Sequence, residues 1–256
     1  MNKRKHTFDE TFFDKIDTEE KAYVLGFIYA DGCNATLPNT GSLNIGQDSR
    51  DIDILYKIKA AIKSTYPLLE RVRENGKKAF VLYVYGKTIS ESLEKVGVVK
   101  HKSLILKFPT FIEDSLMPHF IRGYFDGDGC IWNGKRKKML VKNEYKVGTF
   151  RERIVHNVKF TFTGSNTFIP DLQKYLIDHI GLKENKLNYS KAKKDHRHCV
   201  MEYSGRRNIA KLYNFMYKNA TIFGERKKKK FEEILCAINE KSLIETGLIA
   251  GNALES

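Results

Sequence analysis

The chain has 256 residues, and 45 Lys and Arg against 31 Asp and Glu give it a formal net charge of +14 at pH 7, with a pI near 9.4. That length suits two modest domains or one duplicated one, and the cationic excess points to a polyanion, foremost nucleic acid, because each phosphate neutralised releases condensed counterions. No apolar run approaches the roughly 18 residues of a membrane-spanning helix, and Met1-Asn2-Lys3-Arg4-Lys5-His6 has no apolar segment behind it, so a soluble intracellular protein without a signal peptide is expected, cytoplasm or organelle being open.

Residues 1–17 form an N-terminal extension, and a first half covers 18–112. It opens on Val24-Leu25-Gly26-Phe27-Ile28-Tyr29-Ala30-Asp31-Gly32, an apolar helix in which Gly26 and Ala30, four apart, share a face that lets another helix backbone approach. Asp31 closes the helix, and Gly32 suits a left-handed residue at its end. Cys33 follows as a small buried packing residue. Leu43-Asn44-Ile45-Gly46-Gln47 alternates as a strand, residues 51–58 carry apolar side chains at helical spacing, residues 80–87 form a strand, and a helix runs through Ile89 and Leu93.

The second half, 113–240, repeats that order. Ile121-Arg122-Gly123-Tyr124-Phe125-Asp126-Gly127-Asp128-Gly129 copies the first motif, with Gly123 and Gly127 at the helix-facing positions and Cys130 matching Cys33. Strand Phe160-Thr161-Phe162-Thr163-Gly164, a helix over 168–175, strand 199–206 and a helix through Ile209 and Leu212 follow. Between Asp31 and Asp128 the offset is 97 residues, but between Leu55 and Leu172 it is 117. The second half therefore holds a strongly basic insertion, 132–153, best suited to an extended hairpin lying along phosphates. In the tail, 241–256, a last helix and a loose end fit equally well.

Two such helices side by side bring Asp31 and Asp128 together. Carboxylates at the negative ends of two helix dipoles repel, so the pair calls for a cation, most simply a hard divalent metal with oxygen ligands. Four cysteines without a CxxC pair fit a reducing compartment. His196-Arg197-His198-Cys199 lacks a second ligand pair for zinc and belongs on a basic hairpin. There is no GxxxxGK[ST] loop, no GxGxxG after a strand and no HExxH.

The two motifs and the repeated element order make residues 18–235 resemble a two-motif, single-chain LAGLIDADG homing endonuclease. The resemblance implies an α+β fold of two pseudo-symmetric αββαββα repeats, with paired motif helices at the interface and saddle-shaped antiparallel sheets over the DNA major groove. It implies Mg²⁺, replaceable by Mn²⁺, held by Asp31 and Asp128 with the backbone carbonyls of Ala30 and Gly127, each half cutting one strand of a duplex target of roughly 20 base pairs, about one turn per half. Within Lys100-His101-Lys102-Ser103 and Glu225-Arg226-Lys227-Lys228 it singles out Lys102 and Lys227 as catalytic lysines, the plainer reading of each being a surface phosphate contact. Gln47 is placed to orient water. Its counterpart Gly164 has no side chain, so the second half needs another polar group, Ser165 or Asn166. Asp126 is assigned to packing or the helix surface, not to metal.

Strand residues with polar or aromatic alternation suit base edges and backbone: Asn44, Arg71, Arg73, Tyr83, Tyr85, Lys159, Thr161, Tyr189, Lys191, Arg197 and Glu202, with Lys135 and Arg136 from the insertion. A monomer is expected, since one chain supplies both motifs. Val155-His156-Asn157 is similar to the end of an intein, but Val158 stands where Cys, Ser or Thr is required, so a free-standing endonuclease encoded within an intron is expected. Two alternatives share fold, charge and motifs: a maturase binding its own intron RNA, and a catalytically inactive DNA-binding regulator. Retention of both aspartates disfavours the regulator.

Overall fold

The computed structural model describes residues 5–37, 40–100, 102, 105–141, 150–189 and 198–245, without the side chains of 36–37, 135–141, 150–157 and 237–245. The first half runs α1 (Glu19–Asp31), β1 (Gly32–Leu37), β2 (Thr40–Asp48), a 3₁₀ turn (Ser49–Asp51), α2 (Ile52–Ala61), β3 (Leu68–Val72), β4 (Lys78–Tyr85) and α3 (Lys87–Lys95). The second runs α4 (Met117–Asp128), β5 (Gly129–Val141), β6 (Phe150–Ser165), α5 (Ile169–Ile180), β7 (Asn188–Tyr189), β8 (His198–Ser204) and α6 (Arg206–Tyr217), and then adds α7 (Glu225–Glu245). The two antiparallel sheets have the same order, β1-β2-β4-β3 and β5-β6-β8-β7. The duplicated αββαββα repeat is thus present. The additional helix α7 was not anticipated, and it passes through residue 240 without a break.

Thr18 starts α1, its hydroxyl accepting from the Lys21 amide at 3.3 Å, and Glu19 and Glu20 complement the positive end of the helix dipole. From Ala22 to Tyr29 every residue of α1 is buried, the pattern of a helix surrounded by protein rather than lying on its surface. Its main partner is α4. A Cβ added to Gly26 would lie 1.9 Å from the Phe120 carbonyl oxygen, and one added to Gly123 would lie 2.0 Å from that of Tyr23. The glycines thus serve the same close approach from both sides.

In the first sheet, Leu43, Ile45, Leu82 and Val84 are buried against α2 and α3, and the alternate residues Asn44 and Tyr83 face the other way. In the second, Phe160 and Phe162 pair in register with Tyr203 and Met201 on the buried face. An aromatic cluster fills that core: Phe125 stacks on Phe160 at 4.5 Å and meets Phe231 of α7 at 5.5 Å. The described part of the basic insertion is a pair of antiparallel strands. Strands β5 and β6 have 13 and 16 residues where β1 and β2 have 6 and 9, and they pair continuously from Gly129↔Phe162 to Val141↔Phe150.

Two expectations need correction. Gly32 and Gly129 are not left-handed; both are extended, at φ −79° and −83°. Glycine is required there because the chain turns straight from helix into strand: a Cβ would lie 2.6 Å from Ile28 Cγ2 in one copy and 1.9 Å from Phe125 Cδ2 in the other. Gly181, after α5, does adopt the left-handed conformation, at φ 62°. Cys33 and Cys130 are exposed rather than buried, since each is the residue of β1 or β5 that follows the core-facing glycine. Within the described part of the N-terminal extension Phe12 and Phe13 are buried, and the Asp9 amide donates to the Ile62 carbonyl at 2.9 Å. Among the described residues no helix is long and apolar enough to cross a membrane.

Candidate functional site

The paired helices end together, bringing Asp31 and Asp128 to one place between the two sheets. A Cβ added to Gly127 would lie 2.3 Å from Ala30 Cβ and 3.6 Å from Asp31 Cγ, so the first motif's carboxylate stands beside the second motif's last turn. Gln47, at the end of β2, donates from Nε2 to Asp31 Oδ2 at 2.5 Å. Strand register equates Gln47 with Gly164: Gly32 pairs with Ile45 and Gly129 with Phe162, and the two residues lie two positions further on. A side chain at 164 is excluded by Tyr124, whose hydroxyl would be 2.4 Å from its Cβ and donates to the Thr163 carbonyl at 2.8 Å. The first motif has Phe27 at that position, and the space goes to Gln47 instead. Ser165 does not replace Gln47. Its hydroxyl donates to the Leu106 carbonyl at 2.7 Å and accepts from the Phe168 amide. Asn166 lies exposed in the following turn.

Lys102 and Lys227 are not surface contacts; they are 6% and 8% exposed. Lys102 Nζ donates to the carbonyls of Tyr29 and Ala30 at 2.9 and 3.1 Å. Lys227 Nζ donates to those of Phe125, Asp126, Gly127 and Gly129 at 2.7–3.2 Å. Each lysine therefore caps the carbonyl end of its half's motif helix, where the dipole favours a cation. Their neighbours are committed elsewhere: Arg226 forks onto Asp51 at 2.7 and 2.8 Å, and Lys228 lies over the Phe223 ring at 3.9 Å.

Both carboxylates reach solvent at the helix ends, but the dense packing around them desolvates the charged form. Burial raises Asp31, opposed by the Gln47 hydrogen bond and the two lysines. Asp128 is raised to about 6, by burial first and the Asp31 charge second. Burial pushes both lysines down. An acid raised from 3.8 to about 6 gives stability that is present below its unfolded value and lost as pH rises through 6. Asp128→Asn should therefore raise the metal-free melting temperature at pH 8, with a gain of about 1 kcal/mol after solvent screening, and leave it unchanged near pH 4. Thermal melts in EDTA across that range check this.

Beneath the carboxylates lies a buried polar scaffold. Asp126 is a buried packing residue rather than a helix-surface one, and it is hydrogen-bonded: it accepts from the Gly224 amide at 2.7 Å and from the Tyr23 hydroxyl at 2.8 Å. Fully buried Arg122 donates to Glu19 at 2.7 Å and to the carbonyls of Met216 and Ile222 at 2.5 and 2.9 Å. Glu19 also accepts from the Thr221 amide at 2.7 Å, tying the start of α1 to the α6–α7 connection. Glu19→Ala strands a buried guanidinium and should cost about 3 kcal/mol, seen as a lower urea midpoint with an unchanged slope.

The exposed sheet faces carry the residues singled out for nucleic acid. In the first half Tyr83 and Tyr85 stack in parallel at 6.2 Å, and Arg71 extends over Tyr83 with 5.9 Å to the ring. Arg73 is exposed in the β3–β4 turn. Asn44 Oδ1, opposite Tyr83, is a buried acceptor with no partner among the described residues. In the second half Lys159 is paired with Glu202 at 2.7 Å, and Glu202 lies opposite Thr161. Tyr189 is exposed. Lys135 and Arg136 lie on β5, their side chains outside the described set, and Lys191 and Arg197 fall outside the described residues.

The donor set fits a hard divalent cation. Two carboxylates and the carbonyls of Ala30 and Gly127, each of which also accepts from its half's lysine, offer only oxygen, and the two negative groups, partly desolvated where they reach solvent at the helix ends, repel each other. Among the described residues no group of three or more His, Cys, Asp and Glu that could hold a metal ion occurs, at this site or elsewhere.

Two sheets of identical order, flanking paired helices that end in opposed carboxylates, define a duplicated α+β architecture with its polar site on the pseudo-dyad. The same architecture occurs in the LAGLIDADG meganuclease I-AabMI bound to uncleaved DNA, at TM-score 0.53 and 16% identity over 86% of this chain and 91% of that one. It occurs in the LAGLIDADG homing endonuclease I-GzeII in complex with its DNA target, at 0.53 and 15% over 87% and 92%. I-LtrWI bound to target DNA gives 0.51 and 13% over 90% and 94%. No protein-family model and no curated protein sequence matches the chain. The chain has the two-repeat LAGLIDADG fold.

Proposed function

We propose that this chain is a homing endonuclease: it binds a long asymmetric duplex DNA site of roughly 20 base pairs across its two sheets and hydrolyses one phosphodiester bond in each strand. The observation that carries this reading is the convergence of Asp31 and Asp128 at the ends of the packed helices, with a capping lysine behind each. The net charge of +14 and the DNA-bound neighbours support it.

Asp31, Asp128 and the carbonyls of Ala30 and Gly127 would hold Mg²⁺ or Mn²⁺, which supplies Lewis acidity at the scissile phosphate. Gln47 fixes the orientation of the Asp31 carboxylate. Lys102 and Lys227 hold the motif-helix ends and offset the negative charge gathering around a bound phosphate. Arg71, Tyr83, Tyr85 and Lys159 face the duplex. Both strands are served by one chain, so the working unit is a monomer, and the gene is of the intron-homing kind.

The test is incubation with a library of randomised duplex sites and Mg²⁺, with sequencing of cut ends. Cutting at one long site supports the proposal. Binding without cutting in Mg²⁺ or Mn²⁺ would make the chain a regulator, and binding to its intron RNA alone would make it a maturase.

A further inference from the structure

The two half-sites are built differently. Gln47 fills the gap between β2 and Asp31, whereas in the second half the Tyr124 hydroxyl occupies the side-chain space at Gly164 and a separate cavity of about 220 Å³ lies beside Asp128, lined among others by Tyr124, Thr163, Gly164 and His198. The hydroxyl of Tyr124 is spent on the Thr163 carbonyl and Ser165 on Leu106. The imidazole of His198 has no hydrogen-bond partner among the described residues. His198 is the first residue of β8 and pairs in register with Ser165, next to the Gly164–Cys199 pair. Cys199 points into the core, so alternation sends His198 to the opposite, duplex-facing side. The matching position in the first half is Ala79: Asp48 pairs with Ala79 as Ser165 pairs with His198. One half thus has Gln47 and Ala79, and the other has Gly164 and His198.

We propose that His198 is the positioning residue of the second half-site, taking over from across the sheet the role that Gln47 performs for Asp31. A neutral imidazole has one donor and one acceptor nitrogen. It can hydrogen-bond at once to a water in the cavity and to the carboxylate or phosphate beside it, as the Gln47 amide can. Gln47 approaches from the core-facing side of β2 and His198 from the duplex-facing side of β8. Each strand of the DNA therefore meets a different polar group, and the two cuts need not share one rate.

This inference rests on the endonuclease reading, and strand-resolved kinetics keep the two apart. Duplexes labelled on either strand are cut with saturating Mg²⁺ by the wild type, Gln47→Ala, His198→Ala and His198→Gln. The expected result is at least a tenfold loss of rate on one strand for His198→Ala and on the other for Gln47→Ala, partial recovery in His198→Gln, and unchanged DNA affinity without metal. A second readout needs no turnover: in DNA-free protein, Mn²⁺ should broaden the His198 ring resonances in NMR spectra, and Asp128→Asn should abolish the broadening. Equal strand rates in His198→Ala, or no Mn²⁺ broadening, would overturn the role of His198 while leaving the nuclease intact. A wild type that cuts neither strand would instead overturn the endonuclease reading, and the Mn²⁺ result would still decide whether His198 faces a cation site.

Discussion

Gly123→Val should lower the unfolding free energy by more than about 3 kcal/mol, the upper end of what overpacking normally costs. Its Cβ would fall 2.0 Å from the Tyr23 carbonyl oxygen and 2.9 Å from the Phe27 amide nitrogen. Neither atom belongs to a side chain that can rotate away. Relief requires separating α1 from α4, and that separation also loosens the Arg122–Glu19 pair and the helix ends that carry Asp31 and Asp128. Gly76→Ala is the control: Gly76 has φ +75° but nothing within 4 Å of an added Cβ, so only the left-handed strain of about 1 kcal/mol applies. Urea denaturation of both variants separates the mechanisms. Equal midpoints would mean that the helix pair is not closely packed in solution.

The duplication was legible because it is written in the residues that pack. Gly26 with Ala30 and Gly123 with Gly127 give the helix contact directly, and the alternation in 43–47 and 160–164 gives the strand faces. The extra twenty residues of the second half were legible as a hairpin because their charge and position left few alternatives. What escaped depended on the third dimension. Nothing in Gly32 or Gly129 distinguishes a left-handed end from a crowded extended one, since both demand the loss of a Cβ. Helix α7 was hidden because residues 225–230 are all charged, and the apolar contact of Phe231 with Phe125 and Phe160 is made across the fold.

Within the site, the aspartates and Gln47 were visible from the motif and the strand end, whereas the burial of Lys102 and Lys227 was not. A lysine in a charged run looks solvated until its Nζ is seen to face the carbonyls of a helix end. The asymmetry between halves did have a sequence signal: Phe27 becomes Tyr124 where Gln47 becomes Gly164. The two changes are complementary, since the hydroxyl takes the space of the lost side chain. His198 had only a weak signal, because its partner position Ala79 can be aligned only once the strand register is known.

Asp31→Asn and Asp128→Asn should each abolish cutting of both strands, by on the order of 10³-fold, beyond the 10- to 100-fold typical of losing a group that merely supports a metal ligand. Three observations favour loss on both strands over loss on one. Asp31 stands beside Gly127, in the other half's helix end. Its charge contributes to the raised position of Asp128. Lys102, from the first half, interacts with both carboxylates. The two aspartates are thus one electrostatic unit, and an amide in either place removes a negative oxygen from the shared donor set. DNA affinity measured without metal should be unchanged or tighter in both variants, because a negative charge facing phosphates has gone. Plasmid nicking assays with strand-specific primers read the outcome. Loss confined to one strand would show two independent centres, and full activity in either variant would remove the carboxylate pair from the chemistry.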